Sequence, residues 1–173
     1  LGFKAMLYGT TGDYNVALGA CTLGGAEVNT GDHNIAIGRK SMFANGTGDN
    51  NVAVGSDSLK NNTTANNNVA IGFCALEQNS TGADNTAIGA SALDANTTAS
   101  NNVAIGYVAL ALNTTGTSNV AVGAGSLDAN TTASGNTAVG KTSLGANTTG
   151  AENTVVGSSA GSLNTTGCRF TAV

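Results

Sequence analysis

Asn-x-Ser/Thr sequons open at Asn45, Asn62, Asn79, Asn96, Asn113, Asn130, Asn147 and Asn164, one every 17 residues. An accessible asparagine in that setting accepts an N-glycan. Read this way, the chain carries a row of glycosylation sites along one edge. The plainer reading is that Asn-Thr-Thr is good loop chemistry, and glycans one strand spacing apart would crowd. A threonine rank keeps the same step, from Thr11 and Thr30 through Thr47, Thr64, Thr81, Thr98, Thr115, Thr132 and Thr149 to Thr166. A flat threonine array suits ice binding, but such surfaces use two outward ranks, and neighbours on an extended chain face opposite ways.

Other reactive residues are sparse. Asp13, Asp32, Asp49, Asp84 and Glu152 fall just before successive repeats, typically one per repeat. Calcium wants several carboxylates in one site, so they read as solvated loop, and no metal or other cofactor is expected. Cys21 and Cys74 share a repeat position three coils apart, or about 14 Å along a stack, which is beyond disulfide reach. With Cys168 they read as free thiols. His33 is the single histidine, so there is no histidine metal cluster and no triad of evident order. Glycines recur at the repeat step, outside any strand–loop–helix phosphate motif. No catalytic residue is expected, and the chain does not read as an enzyme.

The elements that must hold these residues follow from the repeat. The string Asn-[Val/Ile/Thr]-Ala-[Ile/Val/Leu]-Gly starts at Asn15, Asn34, Asn51, Asn68, Asn85, Asn102, Asn119 and Asn136, with a variant at Asn153. Every step is 17 residues except the first, a 19-residue coil over 15–33 whose extra pair is most simply Gly24 and Gly25 in a turn. Positions are counted here from the asparagine. A unit this short cannot hold a helix pair, and glycine, asparagine and threonine at fixed places disfavour helix. Val-Ala-Ile followed by glycine reads as a short strand and a corner; the [Ser/Ala]-Leu pair at positions 8 and 9 reads as a second strand. The fold class is all-β: a parallel β-solenoid of about ten coils, rising about 4.8 Å each. Residues 1–173 form one array. Both ends fall inside a repeat with no capping coil in view, so it reads as a piece of a longer fibre.

Two ranks read as scaffold. Gly19, Gly38, Gly55, Gly72, Gly89, Gly106, Gly123, Gly140 and Gly157 each close a strand, where a corner needs positive φ or close backbone approach. Asn51, Asn68, Asn85, Asn102, Asn119 and Asn136 can stack amide on amide down the axis. Positions 2 and 4, together with Leu at position 9, are expected to form the core. Position 3 then faces out, and a rank held to alanine (Ala53, Ala70, Ala87, Ala104, Ala121, Ala138) implies an interface with a neighbouring chain, the alternative being that the coil's own opposite wall covers it.

The string NVAIGYVALALNTTGTSNVAVG, from Asn102 to Gly123, resembles the NTTG-x-x-NTAIG-x-x-AL repeats of tail-fibre-like proteins of bacteria and phages. More distantly, N-x-VAIG is similar to the head repeats of trimeric autotransporter adhesins, whose period is shorter. The resemblance covers essentially the whole chain. It implies a parallel β-roll, left-handed in the adhesin heads, assembled as a trimer and displayed on a cell or virion surface. It assigns no catalytic residue.

Composition narrows the partners. Net charge is −4 and only 9% of residues are charged, too little and too scattered for nucleic acid or an anionic membrane. No apolar run is long enough to span a bilayer. The expected function is a structural extracellular fibre or shaft whose partner is itself. The alternatives are a receptor- or glycan-binding adhesin, with contacts on Phe73, Tyr107, Arg39 and Lys40, and a glycosylated single-chain fibril stacked end to end.

Overall fold

The computed structural model describes residues 2–7, 11–26 and 28–173; Leu1, expected in a partial first coil, lies outside them. The strands are β1 (Val16–Leu18), β2 (Ile35–Ile37), β3 (Val52–Val54), β4 (Val69–Ile71), β5 (Thr86–Ile88), β6 (Val103–Ile105), β7 (Val120–Val122), β8 (Thr137–Val139), β9 (Thr154–Val156) and β10 (Thr171–Ala172). They make a single parallel sheet in chain order, each pairing with the next at equivalent positions. Val103 lies opposite Val120, Ala104 opposite Ala121, and Ile105 opposite Val122. The fold is an all-β solenoid, one coil per repeat. Among the described residues no helix is long and apolar enough to cross a membrane.

Three-residue strands cannot stand alone. They persist because hydrogen bonding from coil to coil continues around the perimeter. In the coil beginning at Asn102, the N–H groups of Gly106 and Val108 donate backward, to Ile88 O (2.8 Å) and Ala90 O (3.0 Å). Those of Leu110, Leu112 and Thr114 donate forward, to Ser126 O (2.9 Å), Asp128 O (3.2 Å) and Thr131 O (2.8 Å).

This wiring replaces the second strand expected at positions 8 and 9, which is a turn instead. Positions 7 and 9 are left-handed, as in Val108 (φ 49°) and Leu110 (φ 53°). Position 17 is left-handed too, as in Asn101 (φ 63°). A non-glycine residue there costs about 1–2 kcal/mol, offset by the coil-to-coil bonds that the conformation permits.

The strand also faces the other way from expectation. Ala36, Ala53, Ala70, Ala87, Ala104, Ala121 and Ala138 are fully buried within the single chain, while the flanking Val, Ile and Thr residues are half-exposed. The alanine rank therefore does not need a neighbouring chain to cover it: the coil's own opposite wall does so. That wall carries Leu59, Leu76, Leu93, Leu110, Leu127 and Leu144, also fully buried. A coil this thin has room for one large aliphatic, opposed by a methyl. The coil from Asn153 shows the pairing by exception. Position 3 is Val155, position 9 is Gly161, and a side-chain carbon at Gly161 would sit 3.4 Å from Val155 Cγ1. The large and small partners have exchanged walls.

The extra pair in the long coil also shifts. Gly25 N donates to Phe43 O (2.9 Å), as Ala44 N donates to Lys60 O at position 11, and Thr30 N donates to Gly46 O (2.8 Å), as Thr47 does at position 14. Gly24 and Gly25 thus keep regular places, and the two additional residues lie between Gly25 and Thr30.

Candidate functional site

The sequon asparagines line the interior. Asn45, Asn62, Asn79, Asn96, Asn113, Asn130 and Asn147 are fully buried. From Asn62 onward each Nδ2 donates to Oδ1 of the coil before: Asn62 to Asn45 at 2.8 Å, Asn96 to Asn79 at 2.8 Å, Asn130 to Asn113 at 3.0 Å. A glycan on any of these would displace a donor into a packed core, so the glycosylation reading fails for these residues. Asn164, in the last turn, is half-exposed. Its Nδ2 donates to Gly167 O (3.1 Å) and its Oδ1 accepts from Gly167 N (3.0 Å).

The asparagine that opens each coil forms a second ladder of the same polarity. Asn102 Nδ2 donates to Asn85 Oδ1 (3.3 Å), and that oxygen also receives Asn102 N (3.0 Å). The two ladders meet on one carbonyl per coil: Gly116 O accepts from Asn102 Nδ2 (3.0 Å) and from Asn113 Nδ2 (2.9 Å). Stacked amides solve the burial problem because each supplies both a donor and an acceptor. Interior polarity here is structural.

The exterior divides into walls. The strand wall is a largely apolar strip in which Val and Ile of positions 2 and 4 align in register, with Thr86, Thr137 and Thr154 at position 2 of three coils and Ile71, Ile88 and Ile105 each just over a third exposed. On the loop wall, position-13 hydroxyls donate to the next coil's carbonyl, as Thr63 Oγ1 does to Ser80 O (3.0 Å). Thr63 and Thr97 of that rank are exposed nonetheless, beside the exposed Thr64 and Thr98 of position 14, so the two neighbouring ranks both reach the surface rather than facing opposite ways. The acidic residues of position 16 cap the preceding coil: Asp32 Oδ1 accepts Asp13 N (2.7 Å), and Asp49 Oδ1 accepts Asp32 N (2.8 Å). Among the described residues no group of three or more His, Cys, Asp or Glu is placed to hold a metal ion. His33 stacks on Tyr14 with ring centroids 4.9 Å apart. Cys21, Cys74 and Cys168 are free thiols, and burial, with the Glu77 carboxylate alongside, pushes the Cys74 thiol up to about 12.

Past the corner glycine runs a charged ladder. Arg39 Nη2 meets Asp57 Oδ2 at 2.7 Å, and Lys60 Nζ bridges Asp57 (3.5 Å) and Glu77 (2.8 Å). Asp94 follows on the same rank without a cation, and its Oδ1 is buried with no hydrogen-bond partner. Burial, then the neighbouring Glu77 charge, raises its carboxyl above the usual range. Because the folded state holds that proton more tightly, ionisation of Asp94 costs stability at neutral pH, and the cost fades as pH falls toward the ordinary aspartate value. Asp94→Asn is therefore expected to melt higher than the parent near pH 7, with the gap closing through the carboxylate range. Equal melting temperatures at both ends of a pH series would refute this.

One regularity was not read from the repeat alone. Position 15 alternates Gly48, Ala65, Gly82, Ala99, Gly116, Ala133, Gly150, and position 6 alternates large and small in step with it. From Gly48 to Gly150 the sequence thus repeats in pairs of coils, although Gly12, Gly31 and Gly167 leave position 15 uniform at either end, and a comparison of side-chain sizes between alternate repeats would have found it. No family model matches this chain, and neither does any curated protein or solved structure.

Proposed function

We propose that this chain is a rigid structural segment of an extracellular fibre, a shaft displayed on a cell or virion surface, that associates with copies of itself. The observation that carries this reading is the strand wall. Val and Ile of successive coils, with Thr86, Thr137 and Thr154 among them, form an in-register, largely apolar strip along the length of the solenoid, and the chain itself leaves it half-exposed. Contiguous apolar surface of that extent on a soluble rod marks an interaction face. Burying it gains roughly 25 cal/mol per Å². A parallel copy offers the same coil step, so contacts made at one coil repeat at all others, and three chains around one axis form the natural closed assembly. The interface asked of the alanine rank thus passes to positions 2 and 4. Support for a scaffold rather than a catalyst comes from the interior, where the buried asparagines bond within and between coils and the leucines and alanines pack.

Sedimentation of the purified chain tests this. The parent is expected to run as an oligomer, and Ile71→Lys/Ile105→Lys as a folded monomer with an unchanged circular dichroism spectrum. A parent that sediments as a stable folded monomer at micromolar concentration would overturn it.

A further inference from the structure

Position 6, the residue after each corner glycine, runs Phe3, Ala20, Arg39, Ser56, Phe73, Ala90, Tyr107, Ala124, Lys141, Ser158. Large and small alternate without exception. The large members change from aromatic to cationic while keeping their reach, so size and spacing are held rather than identity. Coil-to-coil bonds fix their backbones along the axis: Phe73 O accepts Ser91 N (2.9 Å), Tyr107 O accepts Gly125 N (2.9 Å), and Lys141 O accepts Ser159 N (2.8 Å). The side chains project outward, Phe73 58% and Tyr107 65% exposed. The result is a comb with a pitch of two coils, about 9.6 Å. It lies past the glycine corner, off the strand wall, so self-association through positions 2 and 4 leaves it open.

We propose that this comb binds a linear β-linked polysaccharide running parallel to the rod. In such a chain each pyranose is turned over relative to the last, so like faces recur every second sugar, and one sugar is about as long as one coil step. Phe73 and Tyr107 stack on the C–H faces of alternate sugars, and the notch at Ala90 admits the sugar between them. Arg39 and Lys141 continue the pitch on either side, offering N–H donors to hydroxyl and ring oxygens and to the carboxylates of acidic sugars. A second copy is the competing occupant, and charge disfavours it. Facing combs would bury the Lys141 ammonium with no carboxylate at position 6 to receive it, a costly arrangement, whereas Arg39 brings its own partner in Asp57. The proposal does not depend on how many chains form the shaft.

Retention of the whole chain on cellulose and chitin, with α-linked amylose as control, tests it. The parent is expected to bind the β-linked polymers and not amylose. Phe73→Ala/Tyr107→Ala should weaken binding at least tenfold, with an unchanged melting temperature because both side chains are exposed. Ala90→Tyr/Tyr107→Ala keeps two aromatic rings but sets them in adjacent coils, and should bind as poorly as the double alanine variant. The proposal falls if the parent is not retained, if it binds amylose equally, or if either variant binds like the parent. It also falls if the double alanine variant instead loses self-association in sedimentation, which would make the comb a contact between copies.

Discussion

Asn102→Asp is expected to destabilise the fold by about 4 kcal/mol or more at neutral pH, although the two side chains have nearly the same shape. Asn102 Nδ2 donates to Asn85 Oδ1, Ser100 O and Gly116 O, while its Oδ1 accepts Asn119 N (3.0 Å) and Asn119 Nδ2 (3.2 Å). Aspartate keeps the acceptor and loses every donor, and its second oxygen faces lone pairs from a fully buried site. An unpaired buried charge costs several kcal/mol. The site therefore raises the folded-state pKa of the new carboxyl, so the penalty is largest above that pKa and shrinks as pH falls toward the ordinary aspartate value. Asn102→Ala should be milder, about 3 kcal/mol: Asn113 still serves Gly116 O, but Asn119 N is left without its acceptor. Asn101→Asp, one residue earlier on the exposed loop where Asp84 stands in another coil, is the control and should be near neutral. Denaturant unfolding of the three variants over a pH series measures all of this. An Asn102→Asp variant within about 1 kcal/mol of the Asn101→Asp variant would show that the amide ladder is not what holds the interior.

The contrast between those two neighbours marks where sequence reasoning worked and where it stopped. Period, strand positions and glycine corners were legible because each is a matter of counting: Gly106 or Asn102 recurs at the repeat step whatever the fold does locally. The facing of the strand was not. Val103-Ala104-Ile105 alternates, and alternation defines two faces without saying which is inside. The usual guess puts the larger side chains in the core, but here the opposite wall already supplies Leu110, so the near wall has room only for Ala104. One coil carried the signal, since Val155 and Gly161 depart together. The sequons misled for a related reason. Asn-Thr-Thr has the composition of an exposed loop, yet an amide that both donates and accepts can be stacked indefinitely without water. Asn96 and Asn102 recur equally regularly, and reading one rank as ladder obliged the same reading of the other. The left-handed residues at positions 7 and 9 left no trace at all. Val108 and Leu110 are among the types least suited to positive φ, and only the neighbouring coils hold them there.

Gly106→Ala should be among the most damaging single methyl additions the chain allows. Gly106 sits at φ 134°, outside the region that side chains adopt, and a Cβ there would lie 2.6 Å from the carbonyl carbon of Gly123. The obstacle is backbone, not the end of a flexible side chain. It cannot retreat without breaking the rung from Gly123 N to Ile105 O (2.8 Å). Backbone strain contributes about 1–3 kcal/mol and overpacking a similar amount, so a loss of at least about 3 kcal/mol is expected. Gly135 provides the opposite case. Its φ of 73° is left-handed, but a Cβ there meets nothing closer than 3.7 Å, and the equivalent places hold Asn50, Asn67 and Asn101. Gly135→Asn should therefore be neutral or slightly stabilising, since it also restricts the unfolded chain. Because each coil touches only its neighbours, the damage from Gly106→Ala should stay local. Hydrogen exchange is expected to quicken first at the amides of Gly106, Val108 and Gly123, while coils far along the rod keep their protection. Uniform acceleration over the whole array would mean that it unfolds as one unit rather than rung by rung. An unchanged melting temperature for Gly106→Ala would mean that the corner has room for a side chain after all.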